Sequence, residues 1–280
     1  MKKKVWFITG TSKGFGFEIA KAALAGGDQV VATVRKNAGE LSAKLGGSKD
    51  LLVVTLDVTN ENEVKAGVQA AIARFERIDV LVNNAGYGLL AATEEASAEE
   101  VRRQYDTNVF GLLNVTRAVL PHLRKQGSGH IINVSSLFGY LNNVPGFGLY
   151  GSTKYAVEGI TEGLATELKP LGIRVTAVAP GLFSTDFVSA DSYQSSAVVL
   201  DAYKDTVGGI RGYMGQLHGN QPGDPSKLAG VIVKLANSER APLHLPIGSD
   251  AVKSLRDKTA QIIKEVDEWE AVSSSTDHVK

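Results

Sequence analysis

Short, continuous apolar runs alternate along this chain with longer segments in which apolar residues recur at helical spacing. Runs without polar alternation are typical of parallel strands that are covered on both faces. They predict seven strands, at Val5–Thr9, Gln29–Val34, Leu51–Val58, Val80–Val82, Ile131–Val134, Arg174–Val178 and, at an edge, Leu243–Ile247.

The segments between these strands predict helices that end at glycines or prolines. The predicted helices are Phe17–Ala25, Leu41–Leu45, Glu61–Phe75, a long helix Ala98–Leu123, Tyr150–Leu168, Ser226–Ala236 and a final amphipathic helix Ala251–Trp269. Because strands and helices alternate through short connections, we predict an α/β fold. The expected fold is a single Rossmann-like, doubly wound domain with a mostly parallel seven-stranded sheet and helices on both faces.

The alternation fails between Ser184 and Pro225, where glycine, serine and aromatic residues are scattered without a period. A long irregular segment in a compact domain is usually a lid or a binding loop. We therefore predict one domain over residues 1–248 that includes a substrate loop at about 184–225. A C-terminal helix and tail, residues 249–280, are expected to pack on the same domain.

Composition narrows the class of protein. Thirty basic and thirty acidic residues cancel, so no charge asymmetry points to nucleic acid or to an anionic membrane. The apolar runs are too short for a signal peptide or a membrane span. The absence of cysteine excludes disulfides, thiolate metal ligands and a cysteine nucleophile. We expect a cytoplasmic protein that uses no metal and acts on a small molecule.

A glycine-rich turn joins the first strand to the first helix. Glycines let the backbone approach a pyrophosphate, and the start of a helix supplies N–H donors and a partial positive charge. An ordinary turn is the alternative, but the position between a strand and a helix favours a dinucleotide site. The residues predicted to bind the dinucleotide here are Gly10, Thr11, Ser12, Lys13, Gly14, Phe15 and Gly16.

The end of the second strand indicates which dinucleotide binds. A site for NAD places an acid about 20 residues past the glycines, but this region reads Thr33-Val34-Arg35-Lys36. Arg35 can hold a 2′-phosphate through two hydrogen bonds, and Lys13 can add a second positive charge. The alternative is a pair of solvated surface cations. We predict NADP(H).

Tyr150 and Lys154 are four residues apart and share one face of a predicted helix. A tyrosine titrates near 10, and a nearby cation can bring the phenol towards neutral pH, where it can act as an acid or a base. On its own this short spacing more often reflects a packed tyrosine beside a surface lysine.

Asp57 and Asn83–Gly86 end two strands at the same edge of the sheet, where ligands of such folds bind. Their alternative roles are a helix cap and a structural turn.

Together these segments resemble the motifs of short-chain dehydrogenases/reductases, from Thr9 to about Ile247. The shared motifs are T-G-x-x-x-G-x-G at Thr9–Gly16, N-N-A-G at Asn83–Gly86, Y-x-x-x-K at Tyr150–Lys154 and P-G at Pro180-Gly181. The resemblance implies the catalytic residues Asn108, Ser136, Tyr150 and Lys154. Ser135 stays an alternative to Ser136, since the segment up to Tyr150 is one residue longer than usual. Further cofactor contacts are implied at Asp57, Val58, Asn84, Ala85, Gly86, Tyr150, Lys154, Pro180, Gly181, Phe183 and Thr185.

In the mechanism that the resemblance implies, NADPH delivers a hydride to a carbonyl carbon while Tyr150 donates a proton to the oxygen. Ser136 positions that oxygen, Lys154 lowers the pKa of the phenol, and Asn108 anchors a water that relays protons. An apolar or aromatic ketone or aldehyde is the expected substrate. Its binding wall is expected from Ser136, Leu137, Phe138, Tyr140, Val144, Phe147, Tyr150, Tyr87 and the insert with Phe187.

The leading hypothesis is therefore an NADPH-dependent carbonyl reductase, or ketoreductase. The resemblance also implies a homodimer or homotetramer, formed through the long helix and the helix of Tyr150. One alternative is an NADP-dependent dehydrogenase that oxidises a steroid, retinoid or sugar alcohol. A second alternative, of another class, is a dinucleotide-sensing binding protein without catalysis, against which the presence of Ser136, Tyr150 and Lys154 argues.

Overall fold

All seven of the predicted apolar runs lie in one parallel sheet. The computed structural model describes residues 3–185, 193–217 and 221–278, and of residues 215–217 the backbone only. Its strands are β1 Val5–Ile8, β2 Gln29–Val34, β3 Leu51–Thr55, β4 Val80–Asn83, β5 Gly88–Leu90, β6 Gly129–Val134, β7 Ile173–Pro180, β8 Tyr193–Ser195 and β9 His244–Ile247. The main sheet has the order β3-β2-β1-β4-β6-β7-β9, and β5 pairs separately with β8.

The strand order changes direction beside β1. The chain first moves outward from β1 to β3 and then returns to place β4 on the other side of β1, so that Phe7 faces both Val31 and Leu81. The carboxyl ends of the strands leave a crevice at such a switch point, and ligands bind there. The predicted doubly wound, Rossmann-like fold is confirmed, and its crevice lies at the ends of β1 and β4.

Helices cover both faces of this sheet. They are α1 Gly14–Ala25, α2 Ala38–Lys44, α3 Glu61–Phe75, α4 Ala98–Tyr105, α5 Gly111–Gln126, α6 Gly148–Leu168, α7 Gly209–Leu217, α8 Pro225–Asn237 and α9 Ser249–Ser274. Side chains of β1 enter two separate apolar layers: Trp6 and Ile8 pack against α1 and α8, whereas Val5 and Phe7 pack against α3 and α5. Both faces of the sheet are therefore buried, as the unbroken apolar runs predict.

Two local differences from the prediction lie near the crevice. The long helix is interrupted by a π-helical turn, Asp106–Phe110, between α4 and α5. The insert is also less irregular than we predicted, because it contributes β8, a second π-helical turn at Lys204–Gly208, and α7.

The C-terminal helix α9 is longer than predicted and extends beyond the domain. Asp250 in its first turn accepts a hydrogen bond from Leu182 N at 2.7 Å, and Ala251 is its buried residue. Residues 259–278 are all exposed. The packing on the domain that we predicted for residues 249–280 is therefore limited to the first turns of the helix. Nowhere in the described ranges does a helix have the length and apolarity needed to cross a membrane.

Buried amides join the centre of the sheet to two helices. Asn83 Nδ2 donates to Thr116 Oγ1 of α5 and to Asn133 Oδ1 of β6, both at 2.9 Å. Asn133 Nδ2 donates in turn to Thr161 Oγ1 of α6 at 2.9 Å. All four side chains are buried, so this network holds α6 in place against the sheet.

Asn83→Ala is expected to lower the free energy of unfolding by about 1–3 kcal/mol, because buried groups of Thr116 and Asn133 lose their partner. Urea-induced unfolding measures this change. The control is Asn62→Ala at an exposed position of α3, which should change the free energy by less than about 0.5 kcal/mol. Equally small changes in the two variants would contradict a structural role for the network.

Candidate active site

The glycine-rich turn forms a tight loop between β1 and α1. Gly10 has φ +69°, and a Cβ atom there would lie 2.9 Å from Ala85 Cα. A Cβ atom at Gly16 would overlap Gly10 O and Asn84 Nδ2. Both positions therefore need glycine. The helix α1 begins at Gly14, three residues earlier than the predicted Phe17. The N–H groups and partial positive charge of its first turn therefore lie beside the crevice.

The segment after β4 holds this loop in place. Thr9 Oγ1 accepts hydrogen bonds from the N–H groups of Asn84 at 2.9 Å and Ala85 at 3.0 Å. Asn84 Nδ2 donates to Thr9 O at 2.9 Å and to Gly10 O at 3.0 Å. These bonds make the two segments one wall, in which the side chain of Asn84 positions the loop.

A cleft of about 500 Å³ opens along the carboxyl ends of β1 to β4. The predicted cofactor residues that line it are Gly10, Ser12, Lys13, Gly14, Phe15, Arg35, Asp57, Val58, Asn84, Ala85, Gly86 and Thr185. Thr11 and Gly16 do not line the cleft, and the buried Thr11 donates to Thr33 O at 2.9 Å. Thr11 therefore ties the loop to β2.

Several lining residues were missed by sequence reasoning. Arg103 of α4 hydrogen-bonds to the hydroxyl of Tyr87, and Gln194 comes from the insert. No motif marks these residues, since only the tertiary fold brings α4 and β8 to the cleft. The additional lining residues are Thr33, Val34, Leu56, Thr59, Tyr87, Arg103, Asp106, Thr107 and Gln194.

Positive charge borders the cleft at the end of β2. Arg35 is exposed, lines the cleft, and makes no hydrogen bond or ion pair with the described residues. Lys13 lines the same cleft from the glycine loop. Asp57, at the end of the next strand, accepts hydrogen bonds from Thr59 N at 2.9 Å and Thr59 Oγ1 at 2.7 Å. Its carboxylate is therefore held by its own turn.

The segment Pro180 to Phe183 packs against the glycine loop that lines the cleft. The carboxylate of Asp250 occupies the space that a Cβ atom of Gly181 would need. Phe183 is buried and packs edge-on against Phe15, with ring centroids 5.3 Å apart. Thr185 lines the cleft, whereas the other predicted cofactor residues here, Pro180, Gly181 and Phe183, do not.

Tyr150 lies in the first turns of α6, only 4% exposed, and hydrogen-bonds to the side chain of Ser136. The hydroxyl of Ser136 also accepts a hydrogen bond from Phe138 N at 3.2 Å. Ser135 is buried, and its hydroxyl donates to Lys154 O at 3.4 Å. Of the two candidate serines, Ser136 is thus the one beside the phenol.

Burial controls the protonation of the Tyr150–Lys154 pair. Lys154 Nζ donates to Val134 O at 2.8 Å and lies 5.7 Å from the centroid of the Tyr150 ring. Burial lowers the pKa of Lys154 to about 8, against an opposing effect of Glu158. Burial raises the pKa of Tyr150, and the hydrogen bond with Ser136 lowers it by less. For the described contacts, burial is thus the main influence on the pKa of the phenol, and the expected effect of Lys154 on it stays a prediction.

Asn108 lies in the π-helical turn and is buried. Its Nδ2 donates to Tyr87 O at 2.9 Å and to Thr153 Oγ1 at 3.1 Å. Its Oδ1 accepts a hydrogen bond from Tyr87 N at 3.1 Å. The side chain thus connects the segment after β4 with α6, and the water relay to Lys154 stays a prediction.

Aromatic rings surround the phenol. Phe138 and Phe147 stack at 5.1 Å, and both meet the Tyr150 ring edge-on, at 6.0 and 6.2 Å. Val207 and Met214 of the insert belong to the same apolar cluster. Leu90, Ala92 and the half-buried Val144 complete it. These residues form one apolar cluster around Tyr150, and its use as a substrate wall stays a prediction.

Other predicted wall residues lie elsewhere. The hydroxyl of Tyr140 donates to Glu158 Oε2 at 2.7 Å and is 2.9 Å from His244 Nδ1, so Tyr140 does not join the rings around Tyr150. Tyr87 lines the dinucleotide cleft. Leu137 begins a short 3-10 turn outside the cluster. Phe187 lies outside the described residues.

A buried ion pair holds the insert to the domain. The side chain of Glu95 is fully buried, and its Oε2 accepts hydrogen bonds from Arg211 Nη2 at 2.5 Å and Ala92 N at 2.8 Å. Its Oε1 accepts a hydrogen bond from Leu200 N at 3.0 Å. The hydrogen bond from Arg211 is the main reason that the pKa of Glu95 is lowered to about 2. Among the described residues no cluster of acids and histidines could hold a metal ion.

A Rossmann-like sheet that opens a glycine-lined cleft at the carboxyl ends of its strands is the architecture of dinucleotide-dependent oxidoreductases. Known families narrow that class, because the model of the short chain dehydrogenase family matches residues 4–195. The chain belongs to this family of oxidoreductases, and the resemblance of its motifs is confirmed.

Relatives match the chain well beyond residue 195. Oxidoreductase BOA17 of Botryotinia fuckeliana is 40% identical over 273 residues, which cover 96% of this chain and 98% of the relative. The 3-ketodihydrosphingosine reductase of Bacteroides thetaiotaomicron is 36% identical over 262 residues, which cover 89% of each chain. The likeness therefore includes the insert.

Solved structures share the fold. A short-chain dehydrogenase from Streptomyces avermitilis is similar with a TM-score of 0.91 at 40% identity, over 99% of this chain and 100% of that chain. ElxO with bound NADP is similar with a TM-score of 0.73 at 30% identity, over 90% of this chain and 100% of that chain. The sheet and the surrounding helices are thus those of known oxidoreductases of this family.

Glu95→Gln is expected to speed backbone hydrogen exchange in residues 196–214 by about fivefold or more, since the insert loses about 1 kcal/mol or more of buried hydrogen bonding. Exchange measured by mass spectrometry tests this. Glu99→Gln, at an exposed position of α4, is the matched control and should leave exchange in the insert unchanged. Equal exchange in wild type and Glu95→Gln would show that the ion pair does not hold the insert.

Proposed function

We propose that this protein is an NADPH-dependent carbonyl reductase that reduces an apolar or aromatic ketone or aldehyde. The observation that carries the proposal is the environment of Tyr150. Its phenol is hydrogen-bonded to Ser136, lies close to Lys154, and is surrounded by apolar rings. A phenol in this position can donate a proton to a carbonyl oxygen that rests between it and Ser136.

The shifted pKa values suit reduction. Because burial raises the pKa of Tyr150, the phenol is protonated at neutral pH and can act as a general acid. Lys154, with a pKa of about 8, is mostly charged at pH 7 and would stabilise the phenolate that remains after proton transfer. The hydroxyl of Ser136 would hydrogen-bond to the same carbonyl oxygen and orient it.

A reduced nicotinamide supplies the hydride to the carbonyl carbon when the cofactor is bound. The glycine loop would hold its pyrophosphate through the first turn of α1. Arg35 and Lys13 would bind the 2′-phosphate, since both line the cleft and the end of β2 has no acid to hold a ribose hydroxyl. ElxO, the similar structure at 30% identity, has NADP bound, which supports this choice.

The substrate class follows from the wall around the phenol. Phe138, Phe147, Val207 and Met214 offer apolar contacts, and a highly charged substrate would lose its hydration there. The relative in Bacteroides thetaiotaomicron is named a reductase of a 3-keto compound, which supports a ketone substrate. Oxidation of an alcohol would need Tyr150 as a phenolate base, and the raised pKa opposes this at neutral pH.

We also infer that the chain forms a homo-oligomer through its long helix and the Tyr150 helix. Phe110 in the π-helical turn is 53% exposed, and Tyr155 on α6 is 45% exposed. Exposed aromatic side chains on these two neighbouring helices support an interface there.

Tyr150→Phe is expected to lower kcat/KM by about 100-fold or more, because the proton donor is removed. NADPH oxidation with a panel of ketones and aldehydes measures the rate by absorbance. Tyr155→Phe on the same helix is the control and should keep nearly full activity. A loss of less than about tenfold in Tyr150→Phe would contradict the role of proton donor. A wild type that binds NADPH and reduces no carbonyl in the panel would favour the binding-protein hypothesis.

Arg35→Ala is expected to lower kcat/KM with NADPH by about tenfold or more, since hydrogen bonds to a charged group contribute about 1.5–3 kcal/mol. The rate with NADH should stay nearly the same. Lys36→Ala removes the neighbouring exposed cation, which does not line the cleft, and should alter neither rate. Equal use of the two cofactors by the wild type, or a preference for NADH, would contradict the assignment of Arg35.

A further inference from the structure

The outer part of α9 has an apolar stripe that the described chain leaves uncovered. Ile262, Val266 and Trp269 are 46%, 59% and 62% exposed. Leu255 lies two turns before Ile262, and the other gaps are four and three residues, so all four side chains lie along one face of the helix. A stripe of this length on a surface helix is typical of an interaction site.

The outer part of α9 has little support from the rest of the described chain. Residues 259–274 contain no buried position, and isolated helices of about 12–15 residues are marginal in water. The pair Lys264–Glu268, with N and O atoms 3.7 Å apart, stabilises such a helix by only about 0.2–0.5 kcal/mol. An apolar surface that covers the stripe would add stabilisation by burying it.

Charge along α9 indicates which surface that is. The half before residue 265 has four basic residues and two acids, whereas the half from 265 to 274 has four acids and no base. The basic residues are Lys253, Arg256, Lys258 and Lys264, the acids among them are Asp250 and Asp257, and the later acids are Glu265, Asp267, Glu268 and Glu270. An antiparallel pair of α9 helices places each basic half against an acidic half, but a parallel pair places like charges together.

The spacing supports the same arrangement. Val252, Leu255, Thr259, Ile262, Val266 and Trp269 follow the alternation of three and four that forms the seam of a two-stranded coiled coil. Arg256, Ile263 and Glu270 occupy the equivalent flanking position in successive heptads, with Ile263 midway between the two charges. In an antiparallel pair with its two-fold axis near Ile263, Arg256 of each copy therefore faces Glu270 of the other.

We propose that α9 of one copy pairs antiparallel with α9 of a second copy of this chain. The stripe forms the seam, and the opposite charges of the two halves fix the direction. This surface is separate from the long helix and the Tyr150 helix, and it does not depend on the proposed activity. If those helices also associate, the α9 pair doubles the size of that assembly.

The mass of the full chain in solution tests the proposal. Ile262→Lys is expected to halve the mass measured by light scattering at micromolar concentration. Ala260→Lys, on the outer face of the same helix, should leave the mass unchanged. A far-ultraviolet circular dichroism spectrum like that of the wild type serves as the check that Ile262→Lys is folded. An unchanged mass in Ile262→Lys overturns the proposal.

A charge exchange tests the antiparallel direction. Arg256→Glu and Glu270→Arg should each raise the dissociation constant of the α9 pair by about tenfold, because each pair contains two such contacts and like charges replace them. The double variant should restore the dissociation constant to nearly the wild-type value. Failure of the double variant to restore association rules out the proposed pairing of Arg256 with Glu270.

A cross-link tests the position of the two-fold axis. The chain contains no cysteine, so Ile263→Cys introduces a single thiol. A short bis-maleimide should join two copies of this variant efficiently and two copies of Ala260→Cys poorly. Equal or absent cross-linking in the two variants overturns the proposed axis.

Discussion

The hydrogen bonds between Thr9 and the segment after β4 determine where this protein can bind a ligand. They join residues 75 positions apart in the sequence and bring Gly10 so close to Ala85 that no side chain fits between them. Because the two strand ends are fixed, the first turn of α1 is also fixed at the rim of the crevice. The dinucleotide half of the site thus depends mainly on backbone geometry, which glycine and small polar residues make possible.

The properties of Tyr150 and Lys154 depend on burial. Removing Tyr150 and Lys154 from water favours the neutral form of each side chain. The pKa of the phenol therefore rises, and the pKa of the ammonium group falls. The spacing of the two residues indicates attraction between a cation and a phenolate but says nothing about solvation. The degree of burial becomes clear only when the aromatic rings and the insert around Tyr150 are placed in the fold.

Local patterns predicted most of the fold, and long-range contacts account for what they missed. Gln29–Val34 and Glu61–Phe75 have the same bounds in the sequence prediction and in the structure, because their burial follows directly from their own period. The pairing of β5 with β8 joins short segments about 100 residues apart, and three residues carry too little pattern to predict it. The same limit applies to Arg103, whose position on the cleft depends on how α4 packs. Ser136 could be distinguished from Ser135 only by the turn that directs their hydroxyls apart.

The contrast between local patterns and long-range contacts explains why the cofactor of such a chain is easier to infer than its substrate. Residues that bind the dinucleotide follow strand ends, so their sequence neighbours mark them. The apolar cluster proposed as the substrate wall is assembled across the fold from Phe138, Phe147, Val207 and Met214, and Glu95 and Arg211 hold the insert there. None of these contacts constrains the backbone near the glycine loop. Substitutions in the insert can therefore change the shape of the apolar cluster while the glycine loop keeps its position.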